Sequence, residues 1–302
     1  MNRTITGIGA ACMDYLNVVE DYPAEDGSTH ILSQMMQGGG ACATAVAAAQ
    51  RLGHRGRMIA NVGTDETGRQ IIDSLKQEGV DVSCVRCTEG MSPSSQIMVN
   101  PRTGSRTKFV QNNVLDPVEW DRACIDMIRT SDVIHLDGTR YDNAMAAAET
   151  AKKYHIPVSL DGCHMEADKS LSRKLAAQAD ILIMNRRYPM MVSEKENLEE
   201  ALAYFAENSK IVITTLGRDG CIAYIDGHME HFDAYEVDAV DSTGAGDVFH
   251  GAFLAAWLNG QDIRSCIRYA SACAALKCTK PGGRTGIPSH TQLMKFILER
   301  ES

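Results

Sequence analysis

The segment "DVIHLDGTRYDNAMAAAETAKKYHIPVSLDG", residues 132–162, decides the fold. Its first and last apolar runs have the length of β-strands, and the Ala-rich run between them has the length of a helix. Two strands joined through a helix form a crossover that leaves the strands parallel and in one sheet. The segment therefore predicts a parallel sheet that is covered by helices.

The same alternation extends through most of the chain. On the amino side the order is strand, helix, strand, helix, and on the carboxyl side two more helices alternate with two more strands before a hairpin and a helical end. The further elements on the carboxyl side are predicted at 168–178 and 197–209 (helices) and at 180–185 and 210–217 (strands). The pattern predicts an α/β fold with a mostly parallel central sheet and helices on both faces, formed by 1–302 as a single domain.

Two stretches depart from this alternation. "SSQIMV" and "RTKFVQ" flank the turn-forming sequence "NPRTGS", so 94–111 is predicted to be a β-hairpin. "HILSQMMQ" at 30–37 has little helical amphipathicity and is predicted to be extended.

Composition narrows the class of protein. The net charge of −9 contains no basic block, which argues against a nucleic-acid partner. No stretch approaches the roughly 20 apolar residues of a membrane span, and the amino end lacks the pattern of a signal peptide. The ten cysteines lie mostly in apolar stretches, which favours buried thiols in a reducing cytoplasm over a disulfide framework. We therefore expect a cytoplasmic protein without nucleic-acid or membrane partners.

Polar residues follow several of the predicted strands. Ligands of open α/β sheets bind beyond the carboxyl ends of the strands, where loops meet helix N-termini. The residues that the pattern brings to this edge are Asp14, Asp137, Asp161, Asn185 and Asp247. Some of them are expected to be loop caps, because Asp and Asn favour turns.

Two histidines receive no role in the chemistry. His135 lies inside a predicted strand, so it is expected to be packed. His250 lies one turn into a helix and is expected to contact the core or the backbone.

The run "DSTGAGDVFH" at 241–250 places carboxylates on both sides of small residues. Gly244, Ala245 and Gly246 leave N–H groups uncovered at a helix N-terminus, where an anion such as phosphate is favoured. Asp247 would be repelled by that phosphate, so its presence indicates a general base that takes a proton from an attacking hydroxyl. A purely structural role, in which Asp247 caps the helix, is the competing interpretation. The chain has no Walker loop and no protein-kinase motifs, so another machinery for phosphoryl transfer is predicted.

"DSTGAGDVFHGAF" at 241–253 resembles the second signature of the ribokinase-like, or PfkB, family of carbohydrate and nucleoside kinases. "GGACATAVAAAQRLG" at 39–53 resembles the first signature. "GTDETG" at 63–68, "TTLGRDG" at 214–220 and "AALKCTKPGGRTGIP" at 274–288 match the family in order and spacing, so the resemblance covers nearly the whole chain.

The resemblance implies roles for the residues of the glycine-rich run. Asp247 matches the catalytic base, and Gly244, Ala245 and Gly246 match the anion hole for the transferred phosphoryl group. Asp241 and Thr243 match a monovalent cation site, usually for potassium, that carbonyl groups of a later loop complete. The residues of that loop are Lys277, Lys280, Gly282 and Gly286.

The resemblance also implies sites for ATP and magnesium. Thr215, Gly217 and Gly220 match the nucleotide-binding strand end, and Asn185 matches an asparagine near the ATP phosphates and magnesium. The chain departs from the family's NxxE motif, because Tyr188 stands in place of the glutamate. This departure puts the indirect hold on magnesium in doubt.

On the sugar side, Asp14, Gly39 and Gly40 resemble the residues that bind sugar hydroxyls. Thr44 stands where the family often has asparagine, which weakens the case for ribose. The strands near 15–36 and 94–111 would form a small β lid over the substrate. Cations in or near this lid that could contact the substrate are Arg106, Lys108 and Arg140.

The implied function is transfer of the γ-phosphoryl group of ATP to a hydroxyl, expected to be a primary one, of a small sugar, with a ketose favoured. The carboxyl half most resembles bacterial sulfofructose kinases, but Ser28, Val110 and Thr139 stand where that group places charged or amide side chains. Besides a sulfofructose kinase, the competing hypotheses are a nucleoside kinase and a catalytically silent sugar sensor. A homodimer through the lid is expected by resemblance.

Overall fold

The computed structural model describes residues 2–102, 106–111, 115 and 117–301, and these residues form two β-sheets and the helices around them. The strands are β1 (Thr4–Ile8), β2 (Cys12–Val19), β3 (Ile31–Gly39), β4 (Arg55–Gly63), β5 (Asp81–Thr88), β6 (Ser94–Val99), β7 (Arg106–Gln111), β8 (Val133–Leu136), β9 (Val158–Gly162), β10 (Ile181–Asn185), β11 (Ile211–Thr215), β12 (Cys221–Ile225) and β13 (His228–Phe232). The helices are α1 (Ala41–Arg51), α2 (Glu66–Gln77), α3 (Arg122–Arg129), α4 (Tyr141–Lys153), α5 (Lys169–Ala176), α6 (Tyr188–Ser193), α7 (Leu198–Ala206), α8 (Ala245–Leu258), α9 (Ile263–Cys278) and α10 (His290–Glu301), with a 3₁₀ turn at Gly217–Asp219.

The larger sheet has nine strands in the order β13-β12-β11-β10-β9-β8-β1-β4-β5. All neighbouring strands from β11 to β5 run parallel, and β12 and β13 form an antiparallel hairpin at one edge. The predicted α/β class with a mostly parallel sheet is therefore confirmed. Sequence reasoning missed β5 at the opposite edge and the short helix α6.

Buried apolar side chains cover both faces of this sheet. On one face α1, α8 and α9 pack together, and on the other face α3, α4, α5 and α7 do so. The crossing of α1 and α8 is especially close, because a Cβ atom at Gly251 would lie 2.1 Å from the carbonyl oxygen of Ala45. The alanine-rich composition of α1 thus serves close packing, and it brings the N-termini of α1 and α8 to the same edge of the sheet.

The smaller sheet has four strands in the order β3-β2-β6-β7. The strands β6 and β7 pair antiparallel, as the hairpin prediction required, although the middle of the turn at 103–105 lies outside the described residues. The strand β2 follows β1 after a short connection, and β3 leads directly into α1. The second sheet is therefore attached to the main domain next to the carboxyl end of β1.

Candidate active site

The predicted base, Asp247, lies in the first turn of α8, beyond the carboxyl ends of the central strands. Burial, together with the negative charge of Asp161, raises the pKa of Asp247 to about 6, while the charges of His250 and Lys108 act in the opposite direction. A carboxylate with a pKa near 6 is largely ionised at neutral pH, and it is more basic than an ordinary aspartate. The environment therefore fits the role of a general base.

A buried contact between a histidine and an aspartate lies near this carboxylate. Nε2 of His250 lies 3.3 Å from a carboxylate oxygen of Asp161 at the end of β9, and both side chains are buried. His250 packs in the core as expected, with its ring centroid 5.2 Å from that of His135, and the contact with Asp161 is the part that sequence reasoning missed. His135, as expected, is fully buried, and burial lowers its pKa to about 3, so it is neutral.

Asp137 has a structural role at the neighbouring strand end. Its carboxylate accepts N–H groups from Ala10 at 2.7 Å, from Cys42 at 3.2 Å and from Thr139 at 3.0 Å. These hydrogen bonds connect the ends of β1 and β8 to the first turn of α1. Asp137 thus holds the elements that surround Asp247.

The glycine-rich loop has the open backbone that an anion hole needs. Gly244 has a φ of 75°, and a Cβ atom there would lie 2.9 Å from the carbonyl oxygen of Gly283. At Gly246, by contrast, a Cβ atom would meet nothing within 4 Å. The space beside Gly246 at the N-terminus of α8 can therefore admit an anion.

A cavity of about 740 Å³ connects this loop with the predicted nucleotide-binding strand end. Its lining includes the predicted ATP residues Thr215, Gly217 and Gly220, and it includes Ala245 and Gly246. Arg218 also lines the cavity. Sequence reasoning did not single it out, although it lies inside the motif at 214–220. The volume is suited to a nucleotide-sized ligand whose phosphates point towards the glycine-rich loop.

Asn185 and Tyr188, the residues discussed above for magnesium, make contacts within the protein. The side-chain oxygen of Asn185 accepts N–H groups from Arg187 at 2.9 Å and Tyr188 at 3.1 Å, so it caps α6. Tyr188 is fully buried, and its hydroxyl donates to the carbonyl of Ser172 at 3.3 Å. Tyr188 therefore fills the core, and it does not replace the carboxylate of a glutamate.

The guanidinium of Arg186, next to Asn185, points to the nucleotide side. It donates to the carboxylate of Asp219 at 2.5 Å and to the carbonyl of Leu216 at 3.0 Å. These contacts tie the end of β10 to the loop after β11, which carries Gly217 and Gly220.

On the sugar side, the carboxylate of Asp14 on β2 lies close to Gly39 on the neighbouring strand β3, although the strand register pairs Gly39 with Cys12. A Cβ atom at Gly39 would lie 2.3 Å from a carboxylate oxygen of Asp14, so only glycine leaves room for this carboxylate. Asp14 is 8% exposed, and burial raises its pKa, although the charge of Lys108 lowers it. The charge of Lys108 on β7 also lowers the pKa of Asp247, so this lysine acts electrostatically on both carboxylates.

Arg284 is the main residue of this site that sequence reasoning missed. Its buried guanidinium donates to the carbonyl of Gly39 at 2.9 Å and to the hydroxyl of Thr44 at 3.2 Å. Thr44 is therefore engaged by a protein cation instead of standing open to a sugar. The signal was present in the sequence, because Arg284 lies inside the matched motif at 274–288.

Three further predicted substrate residues lie apart from these contacts. Gly40 has a φ of 93°, and a Cβ atom there would lie 2.4 Å from the carbonyl oxygen of Ala10, so its role is a close turn before α1. Arg140 is the N-cap residue of α4, and among the described residues no hydrogen bond or ion pair joins it to Asp14 or Asp247. Arg106 lies at the phosphate side: its Nη1 donates to the hydroxyl of Thr243 at 2.5 Å.

The groups around Asp241, predicted to hold a monovalent cation, already contact one another. The carbonyl of Asp241 accepts the ammonium of Lys277 at 2.7 Å, and its carboxylate accepts the N–H groups of Thr243 and Gly282, each at 2.8 Å. Nη1 of Arg106 lies 3.6 Å from the same carboxylate. The oxygen atoms of Asp241 that would coordinate a cation therefore already accept hydrogen bonds from protein groups. This arrangement does not fit a free potassium ion.

The residues of the later loop, which were predicted to complete the potassium site, are also occupied by protein contacts. A Cβ atom at Gly286 would lie 2.2 Å from the carbonyl oxygen of Lys277, so that carbonyl is packed against the loop. Gly282, with a φ of 85°, faces the amide of Gln37. Lys280 is exposed, and its N–H donates to the carbonyl of Lys277 at 3.3 Å.

An α/β domain with a second small sheet, an open glycine-rich helix start and an adjacent aspartate defines the class of small-molecule kinases. The model of the pfkB family carbohydrate kinases matches residues 2–290. The chain belongs to this family and is an ATP-dependent kinase of the ribokinase-like group, which acts on sugars or nucleosides. ATP and magnesium are the cofactors expected of such a kinase.

Individual relatives cover nearly all of the chain. An ATP-dependent ribose-1-phosphate kinase of Halopiger xanaduensis is 31% identical over 93% of this chain and 94% of its own. A protein of Arabidopsis thaliana assigned as fructokinase-4 is 27% identical over 97% and 96%. The crystal structure of a candidate ribokinase from Agrobacterium tumefaciens is 26% identical, with a TM-score of 0.90 over 100% of both chains.

Proposed function

We propose that this kinase transfers the γ-phosphoryl group of ATP to a primary hydroxyl of a small sugar. The observation that carries the proposal is the position of Asp247 in the first turn of α8, directly after the open backbone of Gly246, in an environment that raises its pKa to about 6. A sugar held by Asp14 would direct a hydroxyl at Asp247, while Gly246 would leave its N–H open to the moving phosphoryl group. Positioning and charge stabilisation supply most of the catalysis in such a transfer.

In the proposed reaction, Asp247 accepts the proton as the sugar oxygen attacks the γ-phosphorus, and ADP leaves. The N–H groups at 244–246 stabilise the negative charge on the transferred phosphoryl oxygens. Magnesium, when bound with ATP, neutralises phosphate charge. Potassium, which the family resemblance implies, takes no part in the proposed reaction, because Lys277 and Arg106 already contact the groups expected to hold it.

A ketose is the first candidate substrate, and the likeness to the Arabidopsis fructokinase supports it. A sugar phosphate is the second candidate, because Lys108 adds a cation near Asp14 and Asp247, and because a ribose-1-phosphate kinase is among the relatives. Sulfofructose shares this need for a cation, and nucleosides are the last candidate class.

ADP release tests these candidates side by side. The purified protein is assayed with ATP and magnesium against fructose, other ketoses, ribose, ribose 1-phosphate, sulfofructose and nucleosides. Asp247→Asn, prepared identically, is the control for contaminating kinases. A rate with one substrate that disappears in Asp247→Asn supports the proposal. Equal rates of the two proteins would mean that a contaminant releases the ADP or that Asp247 is not the base, and sugar binding without turnover would favour a sensor.

The second sheet carries the proposed lid function and a proposed homodimer contact. Its edge strands β3 and β7 present large apolar side chains that are half or more exposed in the single chain: Ile31, Leu32, Met36, Phe109 and Val110. A second copy of the chain could cover this surface. Among the described residues, no helix is both long enough and apolar enough to cross a membrane. A cytoplasmic location remains part of the proposal, supported by ten cysteines that are all free thiols.

A further inference from the structure

Lys277 is a fully buried lysine close to the glycine-rich loop. It lies in the last turn of α9, and its side chain has no exposed surface. Burying an ammonium group is costly unless a strong partner compensates, so a lysine in this position requires an explanation. Its ammonium donates to the carbonyl oxygen of Asp241 at 2.7 Å.

The contact fixes the residue at which the loop begins. Asp241 is also held through its backbone, because its N–H donates to the carbonyl of Cys278 at 3.1 Å. Its carboxylate accepts the N–H of Thr243, which starts the turn into Gly244, and the N–H of Gly282 in the opposite loop. The ammonium of Lys277 therefore connects the end of α9 to the start of the anion hole.

A second protein cation completes the arrangement. The guanidinium of Arg106 donates to the hydroxyl of Thr243 at 2.5 Å and lies 3.6 Å from the carboxylate of Asp241. Two cations thus converge on one residue, Lys277 at the backbone carbonyl of Asp241 and Arg106 near its carboxylate. A free monovalent cation at the same place would be repelled by both, and it would find the carbonyl, the carboxylate and the hydroxyl already in use.

We propose that the ammonium of Lys277 takes the place of a monovalent cation at this loop and makes the enzyme independent of potassium. Lys277 is a positioning residue: it acts through Asp241 on the N–H groups at 244–246 and touches neither sugar nor ATP. This inference rests on the proposed kinase function.

The first test is the salt dependence of the natural protein. ADP release is measured in potassium chloride and in tetramethylammonium chloride at equal ionic strength, because tetramethylammonium is too large for a cation site. The two rates should agree within about twofold. A loss of about tenfold or more without potassium would overturn the proposal.

The second test compares two substitutions of the lysine. Lys277→Ala leaves room for an ion, whereas Lys277→Met fills the space without charge. Each should lower the rate in tetramethylammonium by roughly 10²-fold, the loss expected for a displaced catalytic group. Potassium or ammonium should restore at least a tenth of the natural rate in Lys277→Ala only. Folded variants with full activity, or a Lys277→Ala protein that potassium does not restore, would contradict the proposal. Lys295→Ala on α10 is the control.

The third test does not depend on activity. Crystals are soaked in thallium(I), whose anomalous scattering reveals potassium sites. Thallium should be absent from the Asp241 carbonyl in the natural protein and present there in Lys277→Ala. A thallium peak at Asp241 in the natural protein would overturn the inference even if no sugar substrate were found. If Lys277→Ala does not fold, the salt dependence and the thallium soak of the natural protein decide the question.

Discussion

Asp247→Asn should remove activity and at the same time stabilise the fold. The pKa of Asp247 is raised from its ordinary value of 3.8 to about 6, so the folded protein disfavours the ionised carboxylate. That difference corresponds to roughly 3 kcal/mol above pH 6. Since the side chain is partly open to solvent, screening reduces the penalty to about 1–2 kcal/mol. Asparagine has the same shape and carries no charge, so the variant should unfold at a temperature several degrees higher.

The stability difference between the natural protein and Asp247→Asn should depend on pH. The raised pKa means that the penalty is complete above pH 6 and disappears as the pH falls towards the unfolded pKa of 3.8. Thermal unfolding of both proteins should therefore differ at pH 8 and converge at pH 4. The natural protein's kcat/KM should fall as the pH drops through about 6, because only the ionised base accepts a proton.

The activity loss should be roughly 10²- to 10⁴-fold, as is typical for a removed general base. Asp262→Asn is the control: Asp262 caps α9 and accepts the N–H of Ser265 at 3.0 Å, so its substitution should leave both activity and melting temperature nearly unchanged. If Asp247→Asn instead lowers stability at pH 8 while keeping activity, Asp247 is a helix cap and the assignment of the base fails.

Three further predictions concern the anion hole, the buried arginine and the lid edge. Gly246→Ala should fold at least as stably as the natural protein but lose activity, because its methyl group enters the open space of the anion hole. Gly244→Ala should lose both stability and activity, because the φ of 75° at this position disfavours alanine. A fully active Gly246→Ala would exclude an anion hole there. Arg284→Met should lower the free energy of unfolding by about 1–3 kcal/mol, measured by urea unfolding, and raise the sugar KM; an unchanged KM would contradict its role. In sedimentation experiments, replacing Ile31 and Phe109 by lysine should convert a homodimer into monomers. These monomers should have the same activity as the natural protein.

The central fold could be predicted from the sequence because its strands and helices differ strongly in pattern. The strands β8 to β11 are short apolar runs, and the helices between them end at turn-forming residues. The strand β5 was missed because its buried and half-buried residues do not alternate regularly: Cys84 is its one deeply buried side chain. An edge strand next to β4 needs no stronger apolar pattern.

The site was only partly predictable, and the reason is that its contacts are long-range. The sequence pointed to Asp247 and the glycines because local spacing at a helix start carries that information. It could not show that Arg284 reaches Gly39 and Thr44, since more than two hundred residues separate these partners. The result at Lys277 has the same cause: the family resemblance implied a role for its carbonyl, whereas tertiary packing brings its ammonium to Asp241.

The distribution of charge between the two sheets implies that the position of the second sheet affects the base. Asp247 stands on the main domain, but Lys108, one of the cations that lower its pKa, stands on β7. If β7 moved away from α8, the pKa of Asp247 would rise, and Arg106 would leave Thr243 at the start of the anion hole. Closure of the second sheet would then restore both the ionised base and the ordered loop. Proton acceptance and phosphoryl binding would therefore be available together only when the substrate is covered, which also limits the transfer of phosphate to water.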